Sequence, residues 1–147
     1  MIRLQKQLQE AAKIVGKIDL PQSSDKNKSG TVTKKELDTL EKFLDNLFKS
    51  ANIDIEFTRH FLDRVNDPRN KEQITTDELR SLFQKTYQKY RKDLTKVDWQ
   101  AVINDISTDI NVPFVLKWDA KNKELDLVAK TTMRKKNFKT SNTKLKV

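Results

Sequence analysis

The stretch VPFVLKWDAKNKELDLVAKTTM, residues 112–133, decides the fold. Its first seven residues are rich in β-formers, and Phe114, Leu116 and Trp118 alternate with their neighbours. Asp119–Lys123 has the composition of a turn, and Leu125, Leu127 and Ala129 then alternate in the same way. The segment therefore predicts a β-hairpin. A lone hairpin is marginal in water and must pack on something. What precedes it has a helical period, so the chain reads as α+β. A mostly helical N-terminal two-thirds would pack on a small antiparallel hairpin or sheet near the C-terminus.

Working back from the hairpin, Trp99, Val102, Ile103 and Ile106 fit the inner face of a short helix over Val97–Ile106. Leu79, Leu82, Phe83, Tyr87 and Tyr90 mark a longer one, capped by Thr75 or Thr76. Phe57, Phe61, Leu62 and Val65 mark another, which ends before Asp67-Pro68 and follows a break at Ala51–Asp54. Thr33 with Glu36 makes a capping box for a helix carrying Leu37, Leu40, Leu44, Leu47 and Phe48. Further upstream, residues 2–17 have amphipathic spacing and residues 21–33 read as a polar loop. The expected organisation is an N-terminal helix and loop over 1–33, an α+β core over 34–138, and a basic tail over 139–147.

The absence of cysteine excludes disulfides and thiolate metal sites, and the single histidine, His60, excludes a multi-histidine zinc site. No segment approaches the roughly 20 apolar residues of a membrane span, so a cytoplasmic protein is expected, in the host cell or the virion if phage-encoded. The formal net charge is +9, and its location is informative. Lys130, Arg134, Lys135, Lys136, Lys139, Lys144 and Lys146 occupy the last 18 residues with no acidic residue among them, which leaves the other 129 residues at +2. Such a block attracts phosphate and releases counterions, so nucleic acid is the expected partner. Another acidic partner, a protein partner or second copy, and a tail kept for solubility are the alternatives.

Residues 25–36, DKNKSGTVTKKE, place Asp25, Asn27 and Ser29 at the first, third and fifth positions of a loop that closes on Glu36, with Gly30 at the sharp turn. This resembles an EF-hand loop, which would make calcium the one cofactor to test, bound weakly because only two ligands carry charge. A weaker echo, DPRNKEQITTDE at 67–78, has Arg69, Lys71 and Glu72 where ligands and the glycine should be. The shared T-x-x-E is also what a helix N-cap requires.

The segment FTRHFLDRVNDPRN, residues 57–70, sets His60 and Arg64 four apart on one helix, with Arg69 on the loop after it and Arg134 following the hairpin. Over roughly residues 55–138 this order resembles the small metal-independent RNases of the barnase/RelE-like superfamily. The resemblance implies that His60 moves a proton while Arg64, Arg69 and, more loosely, Arg134 hold the charge of the phosphorane-like transition state. The run TRHFLDRVND, residues 58–67, together with PFVLKWD, 113–119, and ELDLVAKTTMRKKNFKT, 124–140, is also similar to small uncharacterised bacteriophage proteins over most of residues 34–140, which implies a nuclease, a DNA-packaging or virion component, a host-takeover factor, or another non-enzymatic interaction protein. Whether the chain is an enzyme stays open at this point.

Overall fold

Thr33 opens the first helix as a full capping box: its hydroxyl accepts from Glu36 N at 3.1 Å, and Glu36 Oε1 accepts from Thr33 N at 2.8 Å. The computed structural model describes residues 31–147. Helix α1 runs over Lys34–Phe48 and buries the Leu37, Leu40, Leu44, Leu47 and Phe48 stripe. A short 3-10 turn and a left-handed Asn52 (φ 60°) then redirect the chain into strand β1, Ile53–Phe57. Helix α2, Arg59–Val65, follows under a Thr58 cap. Helix α3, Thr76–Tyr90, starts on a second capping box formed by Thr75 and Glu78. Strands β2 (Gln100–Asp105), β3 (Ile110–Asp119), β4 (Glu124–Ala129), β5 (Met133–Arg134) and β6 (Thr143–Lys146) complete the order.

The α+β class holds, with the helices mostly N-terminal. The sheet, however, is larger than a hairpin and mixed rather than antiparallel. Its order is β1-β4-β3-β2-β6, with β5 paired to β3 beyond the end of β4. The expected β3–β4 hairpin is present, with Phe114 opposite Ala129, Leu116 opposite Leu127 and Trp118 opposite Leu125. The outer strands β1 and β6 join in parallel, to β4 and β2 respectively.

Two elements depart from the sequence reading. The helix expected over Val97–Ile106 is strand β2. Ala101, Val102 and Ile103 are buried in succession, whereas Trp99 and Ile106, expected inside, are exposed. A strand covered on both faces is a continuous apolar run, and over so few residues its spacing also satisfies a helix. The second departure is β1. Its IDIEF pattern buries Ile53 and Ile55 and turns Asp54 and Glu56 away, the period of a strand. It lies where a break and a helix start were expected.

The aromatic core is built from edge-to-face contacts, Phe83 against Phe48 at 6.5 Å and against Phe57 at 5.8 Å, and Phe48 against Tyr87 at 5.2 Å. Tyr87 also bonds Ser50 through its hydroxyl. The exposed edge of β1 is occupied by α1 carboxylates: Asp45 accepts from Ile55 N at 2.8 Å and Glu41 from Phe57 N at 3.1 Å. Those two bonds satisfy N–H groups that would otherwise template pairing with another chain.

The last residues, read as a basic tail, include a strand. Leu145 of β6 is buried opposite Ile103, and both Lys89 Nζ and Tyr90 Oη donate to Lys146 O. Replacing Leu145 with Ala should therefore cost about 2 kcal/mol or more in a urea unfolding curve. Truncation after Thr140 should lower the unfolding midpoint further, because it also strips the β2 edge of its partner; a dispensable tail would leave both midpoints unchanged.

Candidate nucleic-acid interface

The loop between α2 and α3 meets the start of β3 and the β5 segment in a cleft of about 710 Å³. Arg64, Arg69 and Arg134 all line it, joined by Lys71, Lys135 and Lys136. Three of the four residues singled out for catalysis are thus brought together. His60 is not among the lining residues; it sits exposed on α2, where Arg64 Nε donates to His60 Nε2 at 3.2 Å.

The arginines differ in what they have left to offer. Arg134 is spent on the fold. Its Nε donates to Glu72 O (3.1 Å), Nη1 to Glu78 Oε2 (3.1 Å) and Thr108 O (3.1 Å), and Nη2 to Gln73 O (2.8 Å) and Glu78 Oε1 (2.7 Å). A guanidinium has five N–H donors, so none remains for a ligand. Its side chain is only 12% exposed. Arg69 is 73% exposed but gives Nε and Nη2 to Asp67, and Arg64 Nη1 approaches the same carboxylate at 3.4 Å. The Arg69 side-chain and backbone hydrogen bonds pull Asp67 down to about 2, so the carboxylate stays charged and partly offsets both arginines.

The lysines are different. Among the described residues, Lys71, Lys135 and Lys136 form no ion pair and are exposed. The backbone aims Lys71 at a cost. Its φ of 67° and ψ of −47°, with Glu72 N donating to Asn70 O at 2.6 Å, make it the centre of a γ-turn of the strained hand. Buried Asn70 sustains this turn: Nδ2 donates to Arg64 O at 2.8 Å and Oδ1 accepts from Arg134 N at 3.0 Å. Below Lys135, buried Asn111 donates to the carbonyls of Asp109 (3.1 Å) and Lys135 (3.0 Å) and accepts from Asn104 (2.8 Å). Sequence reasoning missed Lys71, whose signal was present only as a basic residue in a turn-rich loop.

Of the other basic residues, Lys144 gives its Nζ to Phe138 O, and Lys130 and Lys139 are exposed outside the cleft. The Asp25, Asn27 and Ser29 of the EF-hand-like loop lie outside the described residues. Its last member, Glu36, serves the α1 cap, and in the echo Glu78 caps α3 and grips Arg134.

A second charged region lies along β1 and β4. Asp54 and Asp126 are neighbours in register, and Asp54, Glu124 and Asp126 bring carboxylate oxygens within 4.8 Å of one another. The group could bracket a cation, but nothing besides the cluster itself marks it as a metal centre. Burial, then the charge of Asp45, pushes Asp54 up to about 6, and Asp54 and Asp45 share a hydrogen bond. The chain matches no family model, and no curated protein or solved structure resembles it closely enough to count as a match. Among the described residues no helix is long and apolar enough to cross a membrane.

Asp54 makes stability depend on pH. Its folded pKa of about 6 stands above the ordinary 3.8, so its favourable contribution is complete below 3.8 and is lost as pH rises through 6. Asp54→Asn keeps a donor toward Asp45 without the charge. It should raise the free energy of unfolding, read from urea curves, more at pH 7.5 than at pH 4, by no more than about 1 kcal/mol after solvent screening. Equal shifts at both pH values would show that Asp54 does not titrate in this way.

Proposed function

We propose that this protein binds nucleic acid through the cleft between the α2–α3 loop and the β5 segment. The observation that carries the reading is the set of three exposed, unpaired lysines, Lys71, Lys135 and Lys136, around a floor whose own arginine is neutralised by Glu78. Lysines held in no ion pair can exchange counterions for phosphates even though Asp67, Glu72 and Asp109 share the lining, and the locked floor holds the backbone that carries them. The strain at Lys71 supports the same reading, since a γ-turn of this hand persists where the surroundings hold it.

The test is a fluorescence anisotropy titration against labelled RNA and DNA at several salt concentrations. If the three lysines neutralise three phosphates, changing all three to Ala should reduce the slope of log K against log salt by about 2 to 3. The free energy of unfolding should stay within about 0.5 kcal/mol of wild type, because these side chains hold no other element. Binding with the same slope in the triple variant would refute the cleft.

One contact favours a second reading, RNA cleavage without a metal. Arg64 lines the cleft and reaches His60, so a phosphate drawn toward Arg64 comes within one helical turn of the imidazole. The substrate's 2′-hydroxyl would attack the adjacent phosphorus and expel the 5′-oxygen, with His60 moving the proton. His60→Ala should then lose roughly 10²–10⁴ in rate, products should end in a 2′,3′-cyclic phosphate, and DNA should be bound but left whole. RNA that stays intact with wild-type protein refolded from denaturant would leave binding as the function.

A further inference from the structure

Exposed large apolar side chains are few among the described residues: Trp99 at 66%, Trp118 at 63% and Ile106 at 62% exposure. The two tryptophans are not scattered. Leu116 N donates to Trp99 O at 2.8 Å, which carries the β2–β3 register one residue past the start of β2 and sets Trp99 opposite Leu116. Trp118 stands two residues further along β3, on the same face as Leu116. The pair is therefore diagonal across adjacent strands, with backbones about 7–8 Å apart, within reach of two indoles. The helices cover Phe114 on this face, yet Leu116 is only half-buried and Trp118 stands open.

Charge accompanies the rings. Lys96, Lys121 and Lys123 lie within five residues of one tryptophan or the other, and none forms an ion pair among the described residues. Of the nearby acids, Asp119 is occupied by the turn, accepting from Asn122 Nδ2 at 2.8 Å and from the Lys121 and Asn122 N–H groups, Asp98 stands beside Trp99, and Glu124 pairs with Asp119 across the strands, one residue from the Trp118 partner Leu125 and therefore on the other face of the sheet. Flat, exposed aromatic rings beside unpaired cations suit a polyanion that also offers aromatic faces.

We propose that Trp99 and Trp118 form a stacking platform for the bases of single-stranded nucleic acid. The proposal rests on the nucleic-acid reading of the cleft and narrows it to single strands. Bases inside a duplex are already stacked on one another and present no free face, whereas unpaired bases can splay onto the indoles. Trp118 lies eight residues along β3 from Ile110, the end of that strand nearest the cleft, a distance of about 27 Å. The platform is thus a second contact point, and a strand long enough to touch both places should bind more tightly than a short one.

The chain has two tryptophans, both in the platform, so its entire indole emission reports on this site. Titrating full-length protein with a 20-residue oligouridine should quench that emission saturably, while a duplex of equal length should not. Trp99→Ala and Trp118→Ala should each weaken oligouridine binding, read by anisotropy, by about tenfold or more, and Trp118→Phe should retain most of it. Both positions are exposed, so circular dichroism of the variants should match wild type. Quenching that persists with an unchanged salt slope after Lys71, Lys135 and Lys136 are changed to Ala would uphold the platform while removing the cleft. Salt-sensitive binding with unchanged emission, and with both Ala variants as tight as wild type, would remove the platform while leaving the cleft. A wild-type dimer that Trp118→Ala dissociates in sedimentation would overturn the proposal, since the face would then belong to a second copy of this chain.

Discussion

The pair formed by Arg134 and Glu78 is the contact on which the basic end of the molecule depends. It joins the first turn of α3 to β5, and through Arg134 it also holds the carbonyls of Glu72 and Gln73 from the α2–α3 loop and Thr108 from the β2–β3 turn. The stretch from Glu72 to Glu78 and the β2–β3 turn are thereby both fixed to one planar group on β5. The pair is mostly shielded, at 12% and 25% side-chain exposure, so its charges are desolvated. Such a pair is worth little by itself against an apolar replacement, but loss of one member strands the other, at about 3–5 kcal/mol. Glu78 meanwhile accepts from Thr75 N at 3.0 Å, so the start of α3 and the floor of the cleft rest on one carboxylate.

This arrangement changes what the C-terminal charge means. Seven unopposed cations over residues 130–147 read as a single electrostatic feature, but the fold divides their work. Arg134 is a structural clasp and Lys144 ties its own segment to Phe138 O. Lys146 lends its carbonyl to Lys89 and Tyr90. Lys135 and Lys136 are left at the cleft, and Lys71 joins them from a loop nearly balanced in charge. A count of charge along the chain cannot separate a cation saturated by carbonyls from one facing solvent, because that difference arises only when distant segments meet.

The same reasoning explains which parts of the fold were legible in the sequence. The two capping boxes, the apolar stripes of α1 and α3, and the β3–β4 hairpin are local: each is decided by residues within a few positions of one another. β2 escapes a local reading because Ala101, Val102 and Ile103 are buried in succession on alternate faces of the sheet, which removes the two-residue alternation that marks a strand. β6 was read as tail because TKLK offers one apolar residue, Leu145, whose burial depends on pairing with β2 some forty residues earlier. At the cleft, Arg64, Arg69 and Arg134 meet without His60, and their neutralisation by Asp67 and Glu78 is hidden from the sequence because the Glu78 contact spans 56 residues. The T-x-x-E signature that suggested both calcium loops and caps is seen as a cap at Thr33 and at Thr75.

Charge is also separated across the sheet. Glu41, Asp45, Asp54, Glu56, Glu124 and Asp126 gather about the β1 edge, where burial and mutual repulsion raise the pKa of Asp54, Glu56 and Asp126. The unpaired lysines of the cleft lie at the far end of the connection from β4 to β5. The acidic margin has its own structural cause, because Glu41 and Asp45 are what close the free N–H groups of β1. Protection of the sheet edge thus draws on these two carboxylates, and a substitution that removed their acceptors would leave the Ile55 and Phe57 N–H groups unpaired and loosen the edge.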